Sequence, residues 1–270
     1  MRGVSELSVI DTHQWLVKLR KAYENTENLN KASIQCEILC KPLEDVFQTS
    51  CKNIYDELLQ NGLFKPHELE ALEWKEQRNI WDETKAAYER LQKLWDGPEV
   101  PIYIFPITKE DAVSHKNGIA YANALFLFMT EKMEKEEIGA LVAHEYHHIC
   151  RIAYLDKTFD QMTLKDSLLI EGMAEYAVGE LYGEKWLAPW LKWYSKKELS
   201  TIWNEHFLPS LNVKGLHNHF PFLYGGQLPK SIGYCIGYEI VCSFKQNFPF
   251  RDPLTTSSEE ILAGSNFMML

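Results

Sequence analysis

Apolar residues recur at helical spacing in the first third of the chain. Trp15, Leu19 and Tyr23 lie four residues apart. Residues at this spacing share one face of an α-helix, and Asp11 or Thr12 just before them is a suitable N-cap. The pattern predicts a first helix from about residue 12 that packs an apolar face against the rest of the protein.

Further helices are predicted after it. Residues 34–38 continue the apolar pattern, and Pro42 suits the first turn of a third helix that continues to Leu58. Asn61-Gly62 predicts the end of that helix, because glycine at this place accepts the backbone conformation that stops a helix.

The best boundary in the sequence is Asp96-Gly97-Pro98, where glycine and proline favour a turn. The last helix before it is predicted to end at Trp95. We therefore predict two domains, an N-terminal helical region at residues 1–97 and a second domain at residues 98–270.

The pattern changes after this boundary. Residues 101–107 are β-branched and aromatic, which predicts a strand, and residues 117–129 predict a turn followed by one or two strands. Residues 134–155 return to helical spacing, and a further helix is predicted over about 163–182. The sequence therefore predicts an α+β fold that is mostly helical.

The caps of the helix predicted over 163–182 are also visible in the sequence. Thr163 and Asp166 have the spacing of a capping box, and Gly183 offers a C-terminal stop.

Composition and charge exclude several classes of protein. Hydrophobic residues make up 46% and charged residues 24%, which is typical of a globular protein. No apolar run approaches the roughly 18 residues needed to cross a bilayer, and the N-terminus lacks the apolar segment of a secretory signal. The formal net charge of −10 disfavours nucleic acid, because phosphate binding needs a basic surface. We expect a cytoplasmic protein without a membrane or nucleic-acid partner.

The six cysteines show no Cys-x-x-Cys spacing, which disfavours a structural zinc knot. We interpret them as reduced, small hydrophobic residues of the core.

The segment HEYHH at residues 144–148 contains the pattern H-E-x-x-H, within a predicted helix. Residues four apart lie on the same face of a helix, so His144 and His148 can bind one metal ion. Zinc suits this pair, since bonds of about 2.0–2.1 Å to imidazole nitrogen are usual. Glu145 projects roughly 100° away around the helix, beside the metal, where it can take a proton from metal-bound water. The apolar residues on both sides of the motif favour this interpretation, because ionisable side chains are costly to bury without a partner.

A catalytic zinc site needs a third protein ligand and one open position. Glu171, 23 residues after His148 on the next predicted helix, is the candidate. Gly172 beside it removes a side chain where helices must approach closely. Glu175 shares the face of Glu171 and is a candidate to accept a hydrogen bond from a ligand histidine, first of all His144. A solvated stripe of glutamates is the alternative, which the apolar neighbours disfavour.

His147 is a competing ligand, three residues from His144. If His147 were a ligand together with His144, the two would face a different side of the helix. Glu145 would then no longer lie beside the metal. We therefore interpret His147 as a histidine behind the ligands or at the surface.

The segments HEYHH and EGMAEY resemble the gluzincins, zinc peptidases in which a downstream glutamate completes H-E-x-x-H. More narrowly, the chain is similar to the YjaZ-like predicted zinc-dependent proteases over roughly residues 98–270. The resemblance implies a zincin-like catalytic domain with a small mixed sheet, and one zinc per chain. His144, His148 and Glu171 match the ligands of that family, and Glu145 matches its general base.

The resemblance has further implications. A strand around Ile119–Phe128 would hydrogen-bond an extended peptide by adding it to the edge of the sheet. Gluzincins often have aspartate four residues after the third ligand, where this chain has Glu175. Tyr234 begins a Tyr-x-x-Gly element like one found downstream of the third ligand, so it is the candidate donor to the oxyanion. The alternatives for this donor are Tyr238, His217 and His219.

The expected function is zinc-dependent hydrolysis of peptide bonds, with peptides or unfolded proteins as substrates. One alternative is a peptide-binding or regulatory protein whose zinc site is structural or degenerate, which the intact Glu145 disfavours. Another is hydrolysis of a non-peptide amide or ester. The ligand types favour zinc and leave manganese and cobalt open.

Overall fold

The computed structural model describes residues 8–24, 30–72, 80–108 and 115–269. This part of the chain is mostly helical and contains one small sheet, so the predicted α+β class is confirmed. The chain divides into two compact units, residues 1–145 and residues 146–270. The domain boundary placed at residue 97 stays a prediction. No helix among the described residues has both the length and the hydropathy to span a membrane.

Among the described residues of the first unit, five α-helices come before three strands. The helices are α1 (Thr12–Tyr23), α2 (Lys31–Gln35), α3 (Glu44–Phe47), α4 (Cys51–Gln60) and α5 (Ile80–Trp95). The strands are β1 (Ile102–Pro106), β2 (Lys116–Tyr121) and β3 (Ala124–Met129). A π-helix at Cys36–Cys40 and short 3-10 helices at Lys41–Leu43 and Pro66–Ala71 join the α-helices.

The first helix begins as predicted and ends at Tyr23. The side chain of Asp11 accepts a hydrogen bond from the backbone N–H of Gln14, at 3.3 Å. The prediction of one helix from Pro42 to Leu58 is wrong. The chain leaves the helical conformation at Gln48, which has a φ of 52°, and Ser50 caps a new helix, α4. Serine and threonine hydroxyls bind nearby backbone groups, so they favour caps over helix interiors.

The sheet is mixed, as the resemblance implied. Its order is β1-β3-β2, with β1 parallel and β2 antiparallel to β3. The turn predicted near Asn117-Gly118 is wrong, because both residues lie in β2 and Gly118 is opposite Leu127. The turn comes later, at Ala122-Asn123, where asparagine supplies the turn preference.

The N-terminal helices pack against this sheet. The Thr12 hydroxyl donates a hydrogen bond to the carbonyl oxygen of Ile104, at 2.5 Å. The ring of Trp15 lies 6.0 Å from that of Tyr103, centre to centre. One face of the sheet is thereby covered by side chains of the same unit, and β2 remains at the edge.

Helix α6 (Lys135–Leu155) begins in the first unit and ends in the second. The remaining α-helices are α7 (Leu164–Tyr182), α8 (Lys196–Ile202), α9 (Phe220–Leu223), α10 (Ile232–Asn247) and α11 (Ser258–Gly264). The predicted capping box of Thr163 and Asp166 and the stop at Gly183 are both present in α7.

The core of the second unit forms where α7 packs on α10. Buried residues of both helices contribute to it, among them Leu168, Met173 and Ile240. The two backbones approach so closely that a β-carbon at Gly172 would overlap the backbone of Gly237. The close approach predicted at Gly172 therefore exists, but the partner is α10 rather than the motif helix. This contact fixes α7 at the residue next to Glu171.

Candidate metal centre

Three side chains of α6 bring metal-binding atoms together. One ligand atom each from His144, Glu145 and His148 lies within 4.8 Å of the other two. His144 is half-buried, and the other two are buried. Helical spacing alone produces this cluster, as the sequence predicted, because residues four apart share a face. The acidic residues Glu136 and Glu137 in the first turn favour the helix by interacting with its dipole.

Glu171 meets the motif from helix α7. Its Oε2 lies 3.4 Å from Nε2 of His148, and the two side chains are 14% and 10% exposed. These are residues separated by 23 positions in the sequence. The structure therefore places the predicted third ligand beside a predicted histidine ligand.

This separation provides a test of fit for zinc. With bonds of about 2.0–2.1 Å to nitrogen and oxygen, two ligand atoms of a tetrahedral site lie about 3.3 Å apart. The 3.4 Å between His148 and Glu171 agrees with that value. A direct hydrogen bond between a ring nitrogen and a carboxylate is usually shorter, at about 2.7–2.9 Å. The separation of His148 and Glu171 fits two ligands of one zinc ion, whereas the cluster in which all ligand atoms lie within 4.8 Å of one another consists of His144, Glu145 and His148.

Glu145 lies against strand β2. A β-carbon at Gly118 would overlap the carboxylate end of the Glu145 side chain, so only glycine leaves this side chain its present place. The sequence analysis missed this role, because Asn117-Gly118 was interpreted as a turn. Glycine within a strand is also a signal of close approach by another group, and that signal would have identified it.

The start of β2 is tied to the same helix that contains Glu145. Glu137 accepts a hydrogen bond from the Lys116 ammonium at 3.2 Å and lies 2.5 Å from the ring of His115. Burial alone would raise the pKa of Glu137, but its bonds to His115 and Lys116 outweigh burial and lower that pKa. The charged carboxylate therefore holds the edge strand beside α6.

The other predicted polar residues near the motif are buried. Glu175 is 5% exposed, and its carboxylate accepts a hydrogen bond from the backbone N–H of Ala188 at 3.0 Å. Its predicted bond to His144 stays a prediction. His147 is 4% exposed, so of the two interpretations offered for it, the surface one is wrong.

Tyr234 lies in α10 among other aromatic rings. It is 8% exposed, and its ring centre is 5.9 Å from that of Trp190 and 5.7 Å from that of Tyr224. These contacts are those of a packed aromatic residue. The role of Tyr234 as the oxyanion donor stays a prediction.

The three alternatives to Tyr234 differ in their surroundings. His219 is buried, with Nδ1 2.8 Å from the Ser167 hydroxyl and Nε2 2.9 Å from the Val213 carbonyl oxygen. Both ring nitrogens therefore form hydrogen bonds, one with α7 and one with the loop before α9. Burial raises the pKa of Tyr238, whose hydroxyl forms a hydrogen bond with the Cys242 thiol. His217 is exposed on a short 3-10 helix.

A second residue that the sequence analysis missed is Arg151, three residues after His148. It is fully buried in the second unit and donates four hydrogen bonds. A charged residue inside the apolar pattern of 134–155 was a signal for it, because a buried guanidinium needs partners.

The six cysteines are free thiols, as predicted, and three of them are buried. Burial raises the pKa of Cys150 and of Cys235 to about 12, which keeps both in the neutral form.

Comparison with known proteins agrees with this geometry. The family model described as "Predicted Zn-dependent protease (DUF2268)" matches residues 80–263. The chain belongs to this family. The match begins at α5, which lies before the part that the sequence analysis compared, and it includes the H-E-x-x-H segment and Glu171. Membership in this DUF2268 family indicates metal-dependent hydrolysis, with zinc as the metal of the family description.

Two relatives from Bacillus subtilis (strain 168) support the assignment to the DUF2268 family. The uncharacterized protein YjaZ is 31% identical over 199 residues, which is 70% of this chain and 76% of YjaZ. The uncharacterized protein YjfC is 32% identical over 121 residues, which is 40% of this chain and 39% of YjfC. No solved structure matches the chain.

Proposed function

We propose that this protein is a single-zinc peptidase that hydrolyses peptides or unfolded proteins. His144, His148 and Glu171 hold the metal, and Glu145 is the general base. The observation that supports this most directly is the 3.4 Å between His148 Nε2 and Glu171 Oε2, beside the cluster of His144, Glu145 and His148 on one helix. A purely structural site would have no need of a carboxylate next to the ligands.

The chemistry follows from the placement of Glu145. Zinc, when bound, supplies a Lewis acid that lowers the pKa of water toward 7 and polarises the scissile carbonyl group. Glu145 accepts the proton of the attacking water on its carboxylate and later delivers it to the leaving amine. Its buried position strengthens both steps, because electrostatic interactions are less screened away from solvent.

Strand β2 is the proposed site for the substrate backbone. The sequence analysis placed this role around Ile119–Phe128, a range that spans two strands. β3 cannot take it, because β1 and β2 occupy both of its edges. Among the described strands β2 pairs with β3 alone, and its Gly118 lies against Glu145. An extended peptide added to β2 would place its backbone near the general base. This arrangement is that of a zincin-like fold, which we propose for the domain.

The metal is tested first, by mass spectrometry of metal content on wild type and on Glu171→Ala, both without a metal-binding tag. We expect about one zinc per wild-type chain and a large loss in the variant. Glu180→Ala is the matched control, because Glu180 is an exposed residue of the same helix. Full zinc content in Glu171→Ala would show that Glu171 is not the third ligand.

Turnover is tested with Glu145→Gln, on a library of fluorogenic peptides and on a reduced, unfolded protein. We expect zinc to remain bound and hydrolysis to fall by about 10²-fold or more, because glutamine cannot accept the proton. Glu136→Gln, exposed in the first turn of α6, is the control. A zinc-bound wild type that cleaves no peptide would favour the peptide-binding or regulatory alternative.

A further inference from the structure

A buried arginine lies one turn beyond the motif on α6. Arg151 Nη1 donates hydrogen bonds to the carbonyl oxygens of Leu254 and Thr256, each at 2.8 Å, and to that of Pro253 at 3.3 Å. Its Nη2 donates to the Ser258 hydroxyl at 3.2 Å. The chain segment before α11 is therefore bound to α6 just after His148.

The same serine joins this segment to α7. The Ser258 hydroxyl, 1% exposed, donates a hydrogen bond to Oδ1 of Asp166 at 2.7 Å. Asp166 is fully buried in the first turn of α7, five residues before Glu171. One hydroxyl thus bridges a buried cation on the helix of His148 and a buried anion on the helix of Glu171.

The other oxygen of Asp166 fixes the loop between these helices. Oδ2 accepts hydrogen bonds from the Lys157 ammonium at 2.7 Å and from the Thr163 backbone and hydroxyl, at 3.0 and 2.6 Å. Burial alone would raise the pKa of Asp166, but the bonds from Lys157, Thr163 and Ser258 outweigh it and lower the pKa. The aspartate is therefore charged at neutral pH, and both of its carboxylate oxygens accept hydrogen bonds.

These bonds act on two helices whose spacing a metal site constrains tightly. A tetrahedral zinc needs its ligand atoms about 3.3 Å apart, with little tolerance. His148 and Glu171 come from different helices, so their separation depends on what holds α6 and α7 together at this end.

We propose that Arg151, Ser258 and Asp166 are positioning residues, through which the segment 253–258 sets the separation of His148 and Glu171. We call these three residues the brace. The inference rests on the proposed function, because it takes zinc as the ligand of these two residues. The brace contacts no substrate and acts only through the ligands.

The test compares two adjacent serines in the full-length protein. Ser258 belongs to the brace, whereas Ser257 caps α11 by accepting a hydrogen bond from the N–H of Glu260 and lies outside the brace. Ser258→Ala and Ser257→Ala each remove one hydroxyl, and thermal melting without metal measures how much each destabilises the fold. The zinc dissociation constant is then measured by competition with a chelator of known affinity. The absorption spectrum of the Co²⁺ form reports the coordination geometry.

We expect Ser258→Ala to weaken zinc binding about 10-fold, the lower end of the range for partners that orient metal ligands. Its Co²⁺ spectrum should differ from that of wild type, and Ser258→Thr should restore both. Ser257→Ala should keep wild-type affinity and spectrum even if its melting temperature falls. If Ser258→Ala does not fold, Ser258→Cys tests the same bond, because it keeps the volume with a weaker donor and acceptor.

Other results would overturn the brace, the proposed function or both, and they differ from one another. Unchanged affinity and spectrum in Ser258→Ala, with zinc bound in wild type, would remove the brace and leave the proposed function standing. An equal loss in both serine variants would show general destabilisation only. A wild type that binds no zinc would overturn the brace and the proposed function together. A zinc-binding wild type without peptide turnover would overturn the peptidase alone.

Discussion

The N-terminal and C-terminal parts of helix α6 contact their surroundings in different ways. In residues 1–145, the carboxylate end of Glu145 packs directly against Gly118 of β2 and occupies the space that a β-carbon there would need. In residues 146–270, His148 is followed by Arg151, which donates four hydrogen bonds to another part of the chain.

The difference corresponds to two chemical tasks. A general base must receive and release a proton, so it needs to lie within hydrogen-bond reach of the substrate site. Metal ligands must stay at fixed separations, so they benefit from partners that do not move. His148 and Arg151 belong to the rigid part of α6, and Glu145 belongs to the part that faces β2.

The largest effect is expected where α7 and α10 touch. Gly172→Ala would place a β-carbon into the backbone of Gly237, which has no side chain that can move aside. The helix propensity of alanine favours the change by about 1 kcal/mol, but overpacking against backbone costs about 3 kcal/mol or more. We expect a clear loss of stability in chemical denaturation, and lower zinc content because Glu171 is the adjacent residue.

The same helix offers a matched control. A β-carbon at Gly179 would meet the Leu187 side chain at 3.4 Å, an ordinary packing distance. Gly179→Ala should therefore be neutral or stabilise the protein by up to about 1 kcal/mol. Equal stability of the two variants would show that α7 and α10 are not in close contact at Gly172.

A smaller loss is expected from Asp166→Asn. Asparagine cannot form the ion pair with the Lys157 ammonium or carry the charge that Ser258 bridges to Arg151, but it keeps the size of the side chain, so the loss should be about 1.5 kcal/mol. The pKa of Asp166 is lowered in the folded protein, so its contribution is present above the unfolded value of about 3.9. It is lost as pH falls through the folded pKa. The variant should thus be less stable at neutral pH, and its stability should change less between neutral and acid pH.

Denaturation curves between pH 2 and 7 measure this difference. Asp160→Asn, an exposed position in the loop before α7, serves as the control and should follow wild type. The buried role of Asp166 is refuted if both variants show the same pH dependence.

Several helix caps and part of the candidate site could be predicted from the sequence, because their signals are local. H-E-x-x-H spacing places three side chains together on any helix, and Thr163 with Asp166 forms a capping box whose geometry depends on four consecutive residues. The Asp11 cap and the end of α5 at Trp95 are local in the same sense, and all are present.

The errors lie where distant segments decide the structure. Asn117-Gly118 has turn composition, but the space needed by Glu145 explains its glycine, and no local pattern shows that contact. The partner of Gly172 proved to be Gly237 for the same reason. Arg151 was visible as a charge in an apolar helix, yet its acceptors follow it by about a hundred residues. A buried charge predicts that partners exist and does not say which.

The smallest effect on stability is expected where Glu145 faces β2, from Gly118→Ala. The new β-carbon would displace the flexible side chain of Glu145 and leave the backbone in place, so stability should change little. The misplaced base should lower kcat about 10-fold, which corresponds to about 1.4 kcal/mol in the barrier. Zinc content should equal that of wild type, because the ligands are untouched. Ala120→Ser adds one atom at another position of the same strand and should keep wild-type kcat. A fall in zinc content with Gly118→Ala would mean that β2 supports the metal ligands as well as the base. The contrast between the N-terminal and C-terminal parts of α6 would then no longer hold.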